Sequence, residues 1–231
     1  MLTGSRVPSN DMGRAHVLAA LGAFVALTPV CAAGAAAGPA RSREAGVTVS
    51  RVTAAELRYS YRPGCPVTPG KLRLVRLPYW GFDGKRHQGS IVVNAAVVSA
   101  VERVFASLFT QRFPIRRMEP VDAFEGSDDR SMAADNTSAF NCRYAVTTGP
   151  KQWSAHAYGE AIDVDPLENP YVLGAQVLPP GGRPYVNRDD VRPGMAVPGG
   201  ELVQAFAAVG WAWGGRWTGS PDYQHFSSTG G

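Results

Sequence analysis

Hydrophobic side chains recur at helical spacing in two parts of the chain. The first set comprises Val97, Val98, Val101, Val104, Phe105, Leu108 and Phe109. Steps of three and four place them on one face, which predicts a helix with one buried side. Asn94 and Ser99 are both suitable capping residues, and Pro114 is expected to end this helix. A shorter amphipathic helix is predicted over 201–209, ended by Gly210.

Short apolar runs rich in β-branched residues predict strands. Residues 89–93 begin with a glycine and contain three β-branched residues, residues 161–164 form a short apolar and acidic run, and residues 211–213 alternate. Residues 72–77 mix apolar and basic positions, which fits a strand or a loop edge. A further strand is predicted over 115–121.

Two polar or irregular stretches interrupt these elements. Residues 128–137 are polar and indicate a loop or the start of a helix. Residues 166–200 contain seven prolines and six glycines, which indicates a long irregular excursion of the kind that often lines a site.

The N-terminus has the order of a secretory signal. Arg6 and Arg14 supply positive charge, an apolar run covers 17–27, and small residues follow. The run is short for a bilayer span, although an uncleaved anchor or a disordered tail is an alternative. We therefore predict a signal and cleavage region over 1–37, a linker over 38–47 and one domain over 48–231. The protein is expected to be secreted, periplasmic or associated with the cell wall, with no stable membrane span after cleavage.

The charge balance narrows the choice of partners. The whole chain carries a net charge of +4 and has no basic run or basic–aromatic patch. We therefore expect no nucleic-acid partner.

Cleavage of the leader would remove Cys31 and leave Cys65 and Cys142. Two remaining cysteines in an exported chain are expected to pair, and this predicts a disulfide. A zinc site is the weaker interpretation, because the two cysteines are far apart and lack a CxxC spacing.

The chain contains a constellation of imidazoles and carboxylates with metal-ligand chemistry. His156 and Asp163 lie seven residues apart around Gly159, and Asp222 precedes His225 by three residues. Two histidines and one aspartate suit a catalytic zinc site, which keeps a position open for water. The spare carboxylate can accept a proton from that water. Taken alone, His156 is more simply a loop histidine and Asp163 a turn carboxylate.

The spacing leaves one alternative open at this site. Asp222 could be the third ligand, with Asp163 outside the first coordination shell. The remaining histidines are less suited, because His16 lies in the predicted leader and His87 lies in a polar turn and is expected at the surface.

The two motifs resemble those of the zinc D-alanyl-D-alanine carboxypeptidases, peptidase family M15, which includes VanY-like enzymes and L-alanyl-D-glutamate endolysins. The pattern Ser-x-His-x-x-Gly-x-Ala-x-Asp stands here as Ser154, His156, Gly159, Ala161 and Asp163. The second motif, an acid followed by His at the third position, stands as Asp222 and His225, followed by Phe226. Many members have Glu at that acid. One branch of the family has Asp-x-x-His-Phe after a Trp-Gly-Gly-x-Trp segment. Residues 213–217 match that segment, so this chain is similar to that branch.

The resemblance implies an α+β protein with the Hedgehog/D-Ala-D-Ala-peptidase fold, a small antiparallel sheet with packed helices. It implies Zn²⁺ held by His156, Asp163 and His225, with Asp222 as general base. Ser154 is expected to bind substrate or orient a ligand. The family also uses an upstream arginine for a substrate carboxylate or the oxyanion; Arg143 is the first candidate and Arg130 the second.

The same resemblance implies a monomeric peptidase acting on peptidoglycan stem peptides, with D-alanyl-D-alanine carboxypeptidase as the first choice. Two alternatives remain open. One is an L-alanyl-D-glutamate-type endopeptidase or a dipeptidase, because specificity lies in loops such as 166–200. The other is a non-catalytic, zinc-containing module that binds the cell wall.

Overall fold

The computed structural model describes residues 46–146 and 150–230. The predicted leader, with Cys31 and His16, and nearly all of the predicted linker lie outside the described residues. Within the described ranges, no helix has the length and apolar character needed to cross a bilayer.

Over the described residues, the regular structure consists of three α-helices, six short 3-10 helices and ten short strands. The helices are α1 (Val98–Gln111), α2 (Asp128–Ala133) and α3 (Glu201–Ala207). The strands are β1 (Thr48–Arg51), β2 (Leu72–Trp80), β3 (Arg86–Asn94), β4 (Arg117–Met118), β5 (Asn136–Thr137), β6 (Ala161–Asp163), β7 (Tyr171–Leu173), β8 (Gln176–Leu178), β9 (Ala212–Trp213) and β10 (His225–Ser227). This arrangement confirms the predicted α+β class with small antiparallel sheets and packed helices.

Two three-stranded antiparallel sheets organise the fold, in the orders β1-β2-β3 and β6-β10-β9. Two strand pairs accompany them, the parallel pair β4-β5 and the antiparallel pair β7-β8. The second sheet matters for function, because β10 is its central strand and pairs with β6 on one side and β9 on the other.

The main core joins both sheets to α1 and α3. The apolar face of α1 contributes Val101, Val104, Phe105 and Leu108, all buried, as its spacing predicts. The same core takes in Ile162 and Val164, and Phe226 stacks on Phe206 at 4.1 Å between ring centroids. Burying these side chains fixes the strands that carry the polar residues of the site.

A smaller core surrounds the disulfide. Cys65 and Cys142 are bonded, which confirms the predicted pairing across a separation of 77 residues. Cys142 is buried in a cluster whose other buried members are Leu57, Val67, Leu72, Leu74, Val92 and Phe140. The disulfide ties residues 52–67 to the segment that leads into Arg143.

Several predicted boundaries need correction. The strand expected over 115–121 is wrong except for Arg117–Met118, because the Glu119 N–H bonds the side-chain oxygen of Asn136 and Val121–Phe124 form a 3-10 helix. Helix α1 ends at Gln111 and not at Pro114, since Arg112 adopts a left-handed conformation and closes the helix.

Two further expectations differ from the structure. The excursion 166–200 is not irregular throughout, because it contains the β7-β8 hairpin and a 3-10 helix, Pro180–Tyr185. His87 lies at the start of β3 and not in a turn, although it is exposed as expected and bonds Asp83. The strand β10 was not predicted.

Candidate metal centre

His156 lies in a short 3-10 helix, Ala155–Tyr158, whose start is capped by Ser154. The Ser154 hydroxyl accepts the His156 N–H at 3.3 Å. The His156 ring is oriented by the carbonyl of Ala139, which lies 2.6 Å from Nδ1. A proton on Nδ1 donates to this carbonyl and leaves the lone pair of Nε2 free to bind a cation.

Gly159 turns the chain from His156 toward Asp163. Its φ is +69°, and a Cβ at this position would lie 2.7 Å from the backbone nitrogen of Asn94. A larger residue would therefore be both strained and obstructed here. The close approach is used, because the Asn94 N–H donates to the Gly159 carbonyl at 2.9 Å. Gly159 thus allows both the reversal of the chain and its attachment to the first sheet.

Asp163 is the last residue of β6, and its backbone exchanges two hydrogen bonds with Ser138. Ile162 and Val164 point into the core, as expected from alternation. Asp165 does not continue the strand, because its φ is +41°. Its carboxylate instead accepts the Arg116 N–H at 2.9 Å, so Asp165 lies outside the metal centre.

His225 begins β10 and lies directly opposite Asp163 in the antiparallel register. Side chains of such a pair project to the same face at close range. The register therefore brings together two residues that are 62 positions apart in the chain, with His225 Nδ1 3.1 Å from Asp163 Oδ1.

The three side chains form a nearly equilateral triangle of donor atoms. His156 Nε2 lies 3.2 Å from His225 Nδ1 and 3.2 Å from Asp163 Oδ1, and all three residues are buried. Metal–ligand bonds of about 2.0–2.1 Å in a tetrahedral zinc site imply ligand separations of about 3.3–3.4 Å. The triangle therefore fits one small divalent cation. Within the described ranges this is the one group of histidine, cysteine or acidic side chains with such spacing.

The electrostatics of the triangle suit cation binding. Burial opposes ionisation of Asp163, but the adjoining His156 and His225 hold the pKa of this carboxyl well below its usual range. Asp163 is therefore a carboxylate at neutral pH, which is the form that binds a metal.

Asp222 lies beside the triangle and is not part of it. Its backbone N–H bonds the Gly214 carbonyl at 3.1 Å, and its own carbonyl accepts the His225 N–H at 3.3 Å. A Cβ on Gly214 would lie 2.8 Å from the Asp222 carbonyl oxygen, so this glycine permits the close packing. The placement favours Asp163 over Asp222 as the third ligand.

The Asp222 carboxyl has the properties of a group that exchanges protons. Its Oδ1 is buried and has no hydrogen-bond partner among the described residues. Burial, together with the negative charge of Asp163, raises the pKa of Asp222 to about 7. Such a pKa lies near the value at which a general base works best at neutral pH.

The two arginine candidates occupy different places. Arg143 lines the cleft that contains the triangle and forms an ion pair with Asp128 at 2.8 Å. Arg130 is exposed, pairs with Glu125 at 2.7 Å and does not line the cleft. The structure therefore places Arg143 in the cleft and Arg130 outside it.

The cleft also contains residues that the sequence did not assign to the site. Trp217, Tyr171, Met132 and Leu178 provide apolar walls, and Asp128, Asp129, Gln152 and Gln224 provide polar ones. Trp217 belongs to the Trp-Gly-Gly-x-Trp segment, which was a usable signal. The carbonyl of Ala139 and the carboxylate of Asp128 gave none, because their roles depend on distant segments meeting.

Together, the α+β fold, the buried His-Asp-His triangle and the adjacent carboxyl define a candidate metallopeptidase centre. The family model described as D-alanyl-D-alanine carboxypeptidase matches residues 148–228, which include every residue of both motifs. This match supports the M15 peptidase family, as the motifs indicate. Assignment to the VanY-like branch stays a prediction. No curated protein and no solved structure gave a significant match.

Proposed function

We propose that this protein is an exported, zinc-dependent peptidase that hydrolyses a peptide bond of peptidoglycan stem peptides, with the D-alanyl-D-alanine bond as the leading target. The observation that carries the proposal is the donor triangle of His156, Asp163 and His225 with the Asp222 carboxyl beside it. The family match to 148–228 supports peptide hydrolysis as the class of reaction.

The metal would be held by the two imidazoles and the Asp163 carboxylate. When bound, zinc supplies Lewis acidity, which polarises a carbonyl and makes water a better nucleophile. The carbonyl of Ala139 keeps the His156 ring in the orientation that this requires.

The remaining steps belong to the side chains of the cleft. Asp222 takes a proton from the attacking water and delivers it to the nitrogen of the leaving amine as the peptide bond breaks. Arg143 binds the substrate carboxylate through charge-assisted hydrogen bonds. Ser154, which is buried and lines the cleft, holds the His156 turn in place.

Export is proposed from the leader-like N-terminus and the disulfide. A bond between Cys65 and Cys142 persists in oxidising compartments and is rare in the cytosol. The substrate, a component of the cell wall, would lie in the same compartment.

The proposal is tested by incubating the purified protein with defined stem pentapeptides and identifying the products by mass spectrometry. Release of free D-alanine supports the carboxypeptidase, whereas internal cleavage supports the endopeptidase alternative. A chelator should abolish activity and added zinc should restore it. Hydrolysis that continues after complete removal of metal would contradict the proposal.

The general base has its own test. We expect Asp222→Asn to lower kcat by about 10²- to 10⁴-fold, the usual contribution of a positioned acid or base, while zinc still binds. Asp189→Asn, a change of the same kind at an exposed position outside the cleft, should leave kcat unchanged. Full activity of Asp222→Asn with zinc bound would exclude this role and favour another proton acceptor.

A further inference from the structure

We infer that Asp128 is a positioning residue that holds the Arg143 guanidinium toward the carboxylate of the substrate, an inference that rests on the proposed function. Asp128 Oδ2 lies 2.8 Å from Arg143 Nη2, and both residues line the cleft. Their side chains are only 22% and 24% exposed, so the pair is shielded from most of the solvent that weakens surface ion pairs.

The backbone of Arg143 is anchored, but its side chain needs a partner. Arg143 follows the disulfide residue Cys142, its N–H bonds the Asn141 carbonyl at 2.8 Å, and its carbonyl accepts the Ser154 N–H at 3.1 Å. An arginine side chain nevertheless has several free torsions, and ordering them costs conformational entropy. Among the described residues, Asp128 is the acid that forms an ion pair with Arg143 and so restricts those torsions.

Asp128 is itself held on a fixed backbone. It is the first residue of α2, and the Ser127 hydroxyl caps this helix by accepting the Arg130 N–H at 3.2 Å. The preceding turn is attached to the rest of the protein by Asp122, whose carboxylate accepts the Tyr59 N–H at 2.7 Å. The carboxylate of Asp128 is therefore presented from a braced position and can brace Arg143 in turn.

The guanidinium of Arg143 keeps donors for a ligand beside Asp128. Its Nε is buried without a hydrogen-bond partner among the described residues, and an atom shielded this completely from solvent is not the donor that a substrate meets. A guanidinium has five N–H groups, and the ion pair with Asp128 uses one terminal nitrogen, Nη2. Because Arg143 lines the cleft and its side chain is 24% exposed, its terminal N–H groups can serve Asp128 and a substrate carboxylate at once.

The inference is tested with two peptides that differ only at the C-terminus, one a free carboxylate and the other an amide. The ratio of their kcat/KM values measures recognition of the carboxylate. We expect Asp128→Ala to lower this ratio about tenfold, mainly through a higher KM for the free acid, as expected when a shielded charged group loses its partner. Asp128→Asn, which can still accept a hydrogen bond, should lose less.

Glu125→Gln is the matched control, because it removes the acid from a short arginine pair outside the cleft, with Arg130. It should leave the ratio unchanged. An equal loss on both peptides, or a ratio that stays constant or rises in Asp128→Ala, would overturn the inference, because these results mean a purely structural or a competing role.

A second readout separates this inference from the proposed function. If the wild-type protein cleaves neither peptide, the proposed function fails, and the Arg143 Nε–H signal in ¹⁵N NMR decides the role of Asp128. A signal protected from exchange in the wild-type protein and lost in Asp128→Ala, but kept in Glu125→Gln, supports the positioning role. Equal protection in all three proteins overturns it.

Discussion

Removing the disulfide should lower the stability of the protein by an amount set by the loop it closes. The perturbation is the double variant Cys65→Ala and Cys142→Ala, which leaves no unpaired thiol at the site. Because the bonded residues are separated by 77 positions, the chain-entropy relation gives a loss of roughly 4–5 kcal/mol at 25 °C. Cys142 is also buried among apolar side chains, so its truncation adds to the loss.

The assay is urea denaturation followed by tryptophan fluorescence. With a slope of about 2 kcal/mol per molar, the expected loss moves the midpoint down by about 2 M. Reduction of the wild-type protein should give a similar shift, and the double variant should not respond to the reductant. A double variant whose midpoint stays within about 0.3 M of the wild-type value would refute the reasoning, because this is far below the shift that the loop predicts.

Two further predictions concern the metal and a buried acid. We expect His156→Ala to weaken zinc binding by more than about 100-fold, because losing only a residue that hydrogen-bonds a metal ligand already costs about 10- to 100-fold. His87→Ala should bind zinc as the wild-type protein does. Both affinities are measured by competition with a coloured chelator. Burial and a hydrogen bond with Asp135 raise the pKa of Glu168 from 4.5 to about 8. Between these values the folded protein keeps a proton that the unfolded chain has released, so stability falls as the pH rises through this window. This fall in the free energy of unfolding reaches up to about 5 kcal/mol above pH 8, and Glu168→Gln should remove it. Parallel curves of stability against pH for the two proteins would contradict the assignment.

Much of the fold follows from local pattern. Helix α1 was predictable because its apolar positions repeat at helical spacing over four turns. The prediction of a strand over 115–121 was wrong because the side chain of Asn136 bonds both the N–H and the carbonyl of Glu119. In a longer strand these two backbone groups would have bonded a neighbouring strand. The short elements inside 166–200 depend on Arg188, whose guanidinium donates to the carbonyls of Glu168, Tyr185 and Ala196, a set of contacts that no local pattern reveals.

The candidate site, like the fold, could be predicted from the sequence only in part. His156 and Asp163 lie within one motif, and the turn at Gly159 between them is visible in the sequence. The meeting of His225 with Asp163 depends on β10, which is three residues long and pairs with a strand far away in the chain. The pairing of Asp128 with Arg143 likewise depends on the packing of α2, so sequence reasoning found the arginine but not its partner.

The cross-strand pairing of Asp163 with His225 links folding to metal uptake. Asp163 lies on β6 and His225 lies on β10. A shift of β10 by a single residue would therefore point the imidazole of His225 to the opposite side of the sheet. A cation bound by both side chains would stabilise this register of β10 over registers shifted by one residue. The supply of metal would then govern when β10 adopts its final pairing, and chains without metal would be the most sensitive to proteolysis at β10.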